Sequence, residues 1–326
     1  MTEKITLISG SANQAFAKKV SDALGIPLTP VEVKRFNDGE TYAHVLKSVR
    51  GHHVFVIHPT SPPVNDTLME LLILVDALKR ASAKEITAVI PYFGYGRQDR
   101  KATSREPITA KLVASLIERA GVHRIVTFDL HVDQIQGFFD IPVDNLEAMP
   151  ILARPLAKLK GVTVVTPDAG GAKRARRLAK VLDAPIALID KRRPMHGIVE
   201  TVNVIGEVKG RHCVIIDDIV DTGHTMANAA RELKRRGAKD IIICATHAVL
   251  SAQAKENLAD KAIKEVIVSD TIAIPKEKML PKIKMVSLAS FTAELITSIF
   301  EGDPMGVIVK GKHEQVSKRG YTEEAP

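Results

Sequence analysis

Short runs of apolar and β-branched residues alternate along the chain with longer amphipathic stretches. Nine short runs are predicted to be strands: Ile5–Ser9, Val54–His58, Ile86–Pro91, Arg124–Asp129, Val162–Thr166, Ile186–Ile189, Val214–Asp218, Ile241–His247 and Glu265–Val268. Helical spacing is clearest in four stretches: Asn65–Lys79, Pro107–Ala120 with Pro107 in its first turn, Ala172–Leu182 and Met226–Arg236. Such alternation is typical of βαβ units. It predicts an α/β fold in which mostly parallel sheets are flanked by helices.

One strand–helix unit occurs twice in weakly similar form. Gly51–Pro59 resembles Gly210–Asp218, and the helices that follow these segments end in similar sequences. Two related halves would meet near residue 145, although chance similarity between generic strand–helix units is the alternative. His58 and Pro59 stand where the second copy has Asp217 and Asp218. If the shared unit once held a ligand, only the second copy keeps the acids.

The composition is that of an ordinary globular protein. Of 326 residues, 45% are hydrophobic and 26% are charged, so dominant disorder is excluded. Cys213 and Cys244 both lie inside apolar runs and are predicted to be core residues, because two cysteines cannot form a disulfide framework. No secretory signal follows Met1, and no apolar run approaches the roughly 18 residues of a membrane span. We expect a cytoplasmic protein with no membrane partner.

The net charge of +8 is concentrated in one segment. Lys173 to Arg193 contains eight Lys or Arg against two Asp, which gives this segment +6 and leaves the rest of the chain nearly neutral. The chain has no Trp and only 4% aromatic residues, so side chains that stack on bases are scarce. The pattern favours a small phosphorylated ligand over the alternative, a nucleic acid.

The strongest candidate site lies between Val214 and Thr225. An apolar strand ends in Asp217 and Asp218, and a Thr/Gly turn then opens a helix. Backbone N–H groups at such a turn bind phosphate, while an acid at the strand end accepts hydrogen bonds from sugar hydroxyls. Helix capping, the alternative, needs one such residue rather than five. We therefore predict a ribose-phosphate site in this segment.

Two further loops follow predicted strands in the second half. In Pro167–Ala172, two glycines permit close approach of a ligand, and Asp168 is suited to sugar hydroxyls or a metal, although a plain βα turn would look similar. Asp190–Pro194 carries three cations that could close over phosphates and neutralise charge on a transferring group. A solvated surface is the alternative for that charge run.

Signals in the first half are weaker. Tyr92–Lys101 combines aromatics, glycines and basic residues that could hold a nucleotide. Phe36–Glu40 predicts a β-turn with an Asx cap. Asp129–His131 ends a strand with a candidate metal pair, although a lone His there is more often structural. The sequence has no HExxH motif and no cysteine cluster for a metal.

Together these motifs resemble the ribose-phosphate pyrophosphokinases, also called phosphoribosyl pyrophosphate synthetases. The resemblance extends from about Ile5 to about Phe300, and it rests on seven motifs in order: FNDGE at Phe36–Glu40, RASAKEI at Arg80–Ile86, RQDRK at Arg97–Lys101, DLH followed by QIQGFF at Asp129–Phe139, PDAGGAKRA at Pro167–Ala175, DKRRP at Asp190–Pro194, and DDIVDT at Asp217–Thr222. It implies two phosphoribosyltransferase-type domains. Residues 1–145 would form the ATP side without a ribose-phosphate site of their own, residues 146–291 the ribose 5-phosphate side, and residues 292–326 would pack back on the first domain.

The resemblance also implies a reaction. The C1 hydroxyl of D-ribose 5-phosphate attacks the β-phosphorus of ATP, which gives AMP and 5-phospho-α-D-ribosyl 1-diphosphate. Ribose 5-phosphate would be held by Asp217, Asp221, Thr222, Gly223, His224 and Thr225. ATP would be held by Phe36, Asn37, Asp38, Gly39, Glu40, Arg97 and Gln98, and Mg²⁺ by His131 and Asp168. Lys191 and Arg193 would be catalytic, Arg193 also contacting ribose 5-phosphate. A nucleotide site across subunits implies at least a dimer and commonly a hexamer, with no nucleic-acid partner.

Two other functions share parts of this pattern. A phosphoribosyltransferase has a loop like DDIVDT, but it lacks the second half-domain and the RQDRK and DKRRP segments. A non-catalytic regulatory homologue of the synthetase carries altered catalytic loops, whereas Lys191 and Arg193 are intact here. The synthetase is therefore preferred.

This chain departs from the family at two places. His224 stands where the family usually has Gly, so the phosphate loop must accommodate a side chain or gain a donor. Residues 302–326 lack the serine-rich segment of members that inorganic phosphate activates. We therefore expect weak or absent activation by phosphate, measured as the reaction rate with and without added phosphate. A strong phosphate dependence would contradict this expectation.

Lys191→Ala is expected to lower turnover by orders of magnitude with little loss of substrate binding. The reason is that phosphoryl transfer depends on positioning and on neutralising charge on the transferring group. Steady-state turnover and substrate affinity, measured side by side, check this, and unchanged turnover would refute the assigned role.

Overall fold

The computed structural model describes residues 4–168, 170–192 and 201–304. These residues form two compact units. Among the described residues, the first unit extends to Glu147 and also contains Thr271–Ala273 and residues 287–304, and the second contains Ala148–Asp270 and Ile274–Val286. The predicted α/β class is confirmed, because each unit contains a mostly parallel sheet flanked by helices.

The first unit contains a five-stranded sheet and a separate hairpin. Its elements are β1 (Ile5–Ser9), α1 (Gln14–Leu24), β2 (Val31–Arg35), β3 (Thr41–Val45), β4 (His53–Ile57), α2 (Val64–Arg80), β5 (Glu85–Ile90), α3 (Thr109–Ala120), β6 (Arg124–Phe128) and β7 (Val143–Leu146). The sheet has the order β1-β4-β5-β6-β7, and all its strands are parallel. β2 and β3 pair antiparallel.

The second unit contains a seven-stranded sheet. Its elements are α4 (Met149–Leu152), β8 (Val162–Thr166), α5 (Ala172–Leu182), β9 (Ile186–Arg192), β10 (Thr201–Ile205), β11 (His212–Val220), α6 (His224–Arg235), β12 (Asp240–Ala248), α7 (Ala254–Leu258), β13 (Glu265–Ser269) and β14 (Ile283–Val286). The order is β10-β9-β8-β11-β12-β13-β14, in which only the β10–β9 pair is antiparallel. The last described helix, α8 (Ala289–Glu301), belongs to the first unit and packs against α1.

The cores explain why these segments form these elements. The central strands β4 and β8 are buried along their whole length, as expected for parallel strands covered on both faces. α2 buries Leu71, Leu74, Val75 and Leu78, which recur at helical spacing and so face the sheet. Among the described residues, no helix combines the length and apolarity needed to cross a bilayer.

The nine predicted strands and four predicted helices are all present, with ends shifted by up to three residues. One detail was wrong: Pro107 lies before α3, which begins at Thr109. There the Thr109 hydroxyl and the Ala110 N–H bond to Gln98 (2.6 and 3.1 Å), so the turn starts on these residues rather than on the proline. β9 is three residues longer than predicted because it pairs with β10, which was not predicted.

Candidate active site

The loop after β11 begins the candidate site of the second unit. Gly223 adopts a left-handed backbone, with φ of +71°, and α6 starts at the next residue, His224. The Ala227 N–H donates to the Gly223 carbonyl (2.9 Å), whereas N–H groups ahead of the first such bond have no carbonyl partner within the helix. Asp221 is half-buried, and Thr222, His224 and Thr225 are exposed. The predicted segment thus presents backbone donors and hydroxyls at a helix N-terminus, where anions bind favourably.

The acids at the end of β11 share one cation that sequence reasoning missed. The Arg174 guanidinium lies 3.0 Å from Asp217 Oδ1 and 3.1 Å from Asp218 Oδ1. Arg174 stands on α5, so the ion pair joins the DDIVDT segment to the PDAGGAKRA segment. Because the two terminal nitrogens of the guanidinium each contact one carboxylate, Arg174 restricts the orientation of both Asp217 and Asp218.

Asp217 has a perturbed acidity. Burial, followed by hydrogen bonding and repulsion from the neighbouring Asp218 carboxyl, raises the pKa of Asp217 to about 8, although Arg174 acts in the opposite direction. Groups with such environments are typical of binding and catalytic sites.

The loop after β8 is tight and carries Asp168 at its exposed side. The Gly171 N–H donates to Asp168 Oδ1 (3.0 Å), and the Thr166 hydroxyl donates to the Asp168 carbonyl (2.7 Å). A Cβ on Gly171 would lie 2.4 Å from Thr166 Oγ1, so this position requires glycine. Packing on Thr166 thus accounts for the glycine at 171, and the close approach of a ligand to this loop stays a prediction.

The predicted catalytic pair lies at the limit of the described chain. The backbone of Lys191 belongs to β9 and pairs with Val202 of β10, so this residue is at a strand end rather than in a loop. The longer strand is the physical reason, since β10 extends the pairing beyond Ile189. Arg193 lies outside the described residues.

In the first unit, Phe36–Glu40 forms the tip of the β2–β3 hairpin. The Phe36 N–H donates to the Glu40 carbonyl (2.8 Å), and the Glu40 N–H donates to Asp38 Oδ1 (3.1 Å). Gly39 has φ of +94° and so needs the freedom of glycine. The predicted turn with an Asx cap is confirmed. The Phe36 side chain is 53% exposed, which leaves an aromatic ring available to a ligand.

A cavity of about 460 Å³ lies near this hairpin, in the same unit. Its lining includes Arg97 and Gln98 together with Asn65, Asp66, Tyr92 and Tyr95. The Arg35 guanidinium, directly before the FNDGE segment, lies 3.0 Å from Asp66 Oδ2 in the cavity wall. The unit therefore brings the base of the FNDGE hairpin to the wall of the cavity that Arg97 and Gln98 line.

The equivalent edge of β4 is filled by side chains. His58 is fully buried, its Nε2 donates to the Thr67 carbonyl (2.9 Å), and its Nδ1 lies 3.8 Å from Glu70 Oε1. Ser11 donates to the same Glu70 carboxylate through its N–H and its hydroxyl. A Cβ on Gly10 would lie 2.1 Å from His58 Nδ1. His58 and Glu70 therefore pack closely on Gly10 at this edge.

The two predicted metal ligands belong to different units. His131 is exposed after β6, where Asp129 has a positive φ of +38° and the Leu130 N–H donates to Asn145 Oδ1 (3.0 Å). Asp168 belongs to the second unit. Within the part of the chain that the structure describes, no group of three or more His, Cys, Asp or Glu could hold a metal ion.

Comparison with known proteins gives matches over both units. A model of the N-terminal domain of ribose phosphate pyrophosphokinase matches residues 5–121, and a model of the phosphoribosyl synthetase-associated domain matches residues 166–310. A ribose-phosphate pyrophosphokinase of Fusobacterium nucleatum is 52% identical over 299 residues, covering 90% of this chain and 95% of that protein. One of Bacillus caldolyticus is 50% identical over 307 residues, covering 94% and 98%.

A solved structure is also similar over nearly the whole chain. The crystal structure of phosphoribosylpyrophosphate synthetase from Mycobacterium smegmatis has a TM-score of 0.87 and 42% identity, and it covers 92% of this chain and all of that chain. The residues matched by the two family models include both the FNDGE and the DDIVDT segments.

Asp217→Asn is expected to stabilise the fold relative to the parent, and this gain in the free energy of unfolding should grow as pH rises. The pKa of Asp217 is raised in the folded protein, so folding opposes its ionisation and the parent loses stability as pH rises from about 4 to about 8. Asparagine does not titrate and avoids this loss. An advantage of about 1 kcal/mol would appear as a melting-temperature gain of about 2–4 °C at pH 9 relative to pH 5.5.

Asp240→Asn is the matched control on the neighbouring strand. A hydrogen bond from Lys264 is the main cause that lowers the pKa of Asp240, so its charge stabilises the fold above about pH 4. This variant should melt below the parent at pH 5.5 and at pH 9 alike. A melting-temperature difference between Asp217→Asn and the parent that is the same at both pH values would contradict the assigned acidity.

Proposed function

This chain belongs to the ribose-phosphate pyrophosphokinase family, and on that premise we propose which residues of each unit bind the two substrates. The enzyme transfers the β,γ-diphosphoryl group of ATP to the C1 hydroxyl of D-ribose 5-phosphate. The products are AMP and 5-phospho-α-D-ribose 1-diphosphate, a precursor for nucleotide biosynthesis. The observation that supports the site assignment best is the loop that joins β11 to the N-terminus of α6.

Ribose 5-phosphate is assigned to this loop of the second unit. The backbone of Asp221–Thr225 turns into the start of α6, which suits the 5-phosphate. Asp217 lies four residues earlier on the same strand and is suited to the ring hydroxyls, as a carboxyl group can both accept and, when protonated, donate a hydrogen bond. Arg193 is assigned to the same substrate by the resemblance of DKRRP to the family motif.

His224 is compatible with this role. Its Nε2 lies 3.0 Å from Asn228 Nδ2, one turn further along α6, so the imidazole contacts the helix face. The Asn228 Oδ1 accepts from the Arg231 guanidinium, which has only donors, so the amide group donates to His224 Nε2. The side chain at the position where the family usually has Gly is thus accommodated along α6.

ATP is assigned to the first unit. Arg97 and Gln98 line the cavity of about 460 Å³, and the exposed Phe36 ring stands at the tip of the hairpin beside Asn37, Asp38, Gly39 and Glu40. An Arg can bind phosphate or stack on a base, and an exposed aromatic ring can stack on adenine. The same residues match the RQDRK and FNDGE motifs of the family.

Mg²⁺ is the proposed cofactor, and the resemblance to the family assigns His131 and Asp168 to it. Mg²⁺ keeps several waters and usually takes one or two carboxylates plus substrate phosphates rather than a cage of protein ligands. Asp168 offers one exposed carboxylate of this kind, and His131 is likewise exposed. When bound, the ion neutralises part of the triphosphate charge.

The protein's contribution to the transfer is mainly positioning and electrostatics. The C1 oxygen forms a bond to the β-phosphorus while the bond from that phosphorus to the α-phosphate oxygen breaks, and AMP leaves. Lys191 and Arg193 are assigned to the charge of the transferring group, and Asp217 and Asp221 to the orientation of the sugar. We further propose that the enzyme acts in the cytoplasm as a homo-oligomer built from dimers, as a hexamer.

The reaction is tested by mixing purified protein with ATP, Mg²⁺ and ribose 5-phosphate and following products by mass spectrometry. AMP and phosphoribosyl diphosphate are expected in equal amounts. Controls omit the sugar or replace it with ribose, which lacks the phosphate that the α6 loop would bind. ATP binding without any AMP would instead identify a regulatory homologue that lacks the activity.

A further inference from the structure

The loop assigned to phosphate, Asp221–Thr225, is contacted on one side by residues 250–258, a segment that none of the seven motifs includes. The Ser251 N–H donates to the Asp221 carbonyl (3.2 Å), and the Ser251 hydroxyl donates to Asp221 Oδ1. One residue earlier, the Leu250 N–H donates to the Val220 carbonyl (3.1 Å). Ser251 therefore contacts both the backbone and the carboxylate of Asp221.

The next two residues of the loop meet the same segment. The Asn257 side-chain amide donates to the Thr222 carbonyl (2.8 Å). Gly223 packs on α7, because a Cβ at this position would lie 3.3 Å from Leu258 Cγ and 3.4 Å from Asn257 Cβ. Leu258 is fully buried in the core of the second unit. Asp221, Thr222 and Gly223 therefore all contact residues 250–258.

Peptide planarity converts these contacts into an orientation of donors. In a trans peptide the N–H points opposite to the C=O of the same plane. The carbonyls of Asp221 and Thr222 point towards Ser251 and Asn257, so the N–H groups of Thr222 and Gly223 point away from the segment. Successive N–H groups that converge on one side form an anion-binding concavity.

The segment itself is rigidly held around Ser251. Leu250 and Ala252 both have left-handed backbones, with φ of +48° and +45°, which is rare for residues other than glycine. Leu250 is buried, and the Ala254 N–H donates to the Ser251 carbonyl (3.0 Å). Strained conformations persist where surrounding contacts determine them, and they cluster at functional sites.

We propose that Ser251 and Asn257 are positioning residues for ribose 5-phosphate: Ser251 fixes the carboxylate of Asp221, and Asn257 fixes the peptide between Thr222 and Gly223. The proposal rests on the assignment of ribose 5-phosphate to this loop. Neither residue is placed in contact with the sugar. Each acts through a loop residue, by keeping the free loop in the shape that binds phosphate, so the loss of either weakens sugar binding.

Ser251→Ala is expected to raise the KM for ribose 5-phosphate about tenfold while the KM for ATP changes less than twofold. Ser251→Thr keeps the hydroxyl and should restore most of the sugar affinity. The matched control is Ser21→Ala in the first unit, which removes a hydroxyl that donates to the Ile26 carbonyl (2.7 Å). That control should leave both KM values within twofold of the parent.

Asn257→Asp tests the second contact with a side chain of the same size. A carboxylate cannot donate to the Thr222 carbonyl, so this variant should raise the KM for ribose 5-phosphate at least as much as Asn257→Ala. Isothermal titration of ribose 5-phosphate into each variant gives the affinity without turnover. Melting temperatures separate misfolded variants from variants with a loosened loop.

A double-mutant cycle tests whether Ser251 acts through Asp221. In the Asp221→Ala background, Ser251→Ala should change the sugar affinity less than twofold, because the carboxylate that it orients is gone. Equal effects of Ser251→Ala in both backgrounds, or an unchanged KM for ribose 5-phosphate in the single variant, would overturn the proposal. Absence of product from the parent enzyme would instead overturn the function.

Discussion

Parallel strand pairing is the constraint on which the rest of the molecule depends. Because the paired strands of both sheets, apart from β9 and β10, run in one direction, their carboxyl ends meet at one edge, and the loops that leave them are brought together. In the second unit these loops follow β8 and β11, with the Ser251 segment following β12. The Arg174 ion pairs join α5, which follows β8, to the adjacent strand β11, and the Ser251 contact joins the segment after β12 to the loop after β11. Sheet register therefore fixes the relative positions of groups that lie far apart in the sequence.

The acid pair shows how binding chemistry opposes stability. Two neighbouring carboxyl groups are held at the end of β11, where burial and mutual repulsion raise the pKa of Asp217, and Arg174 compensates only in part. A core of apolar residues in the same place would be more stable. Such local destabilisation is common where side chains are arranged for a ligand rather than for the fold.

Sequence patterns sufficed where the signal is local. The buried strands and amphipathic helices were predictable because each carries its own hydrophobic period. β2 and β3 were not, since their residues are half-buried or exposed and lack a continuous apolar run. The short edge strands β7, β10 and β14 have four or five residues and depend on their neighbours for pairing. α1 and α8 were missed as well, although they pack on each other.

In the candidate site, too, local features were predictable and long-range contacts were not. Asp221–Thr225 forms one continuous turn and was predictable from its residues. Arg174 bonds to Asp217 across 43 residues, and Ser251 bonds to Asp221 across 30, so these contacts exist only once the sheet has formed. The order of strands in the sheet was not predicted. Without the strand order, nothing in the sequence indicated that Ser251, which follows the strand next to β11, would lie beside Asp221.

The buried edge of β4 has a consequence for the history of the two units. If they arose by duplication, a single substitution could not return a sugar site to the first. An aspartate in place of His58 would bury a second carboxylate beside Glu70, at a position with no exposed surface. Gly10, Ser11 and Glu70 would have to change together with it, since they fill the space in question. Divergence of this unit is therefore effectively one-way, which leaves it free to specialise in a different ligand.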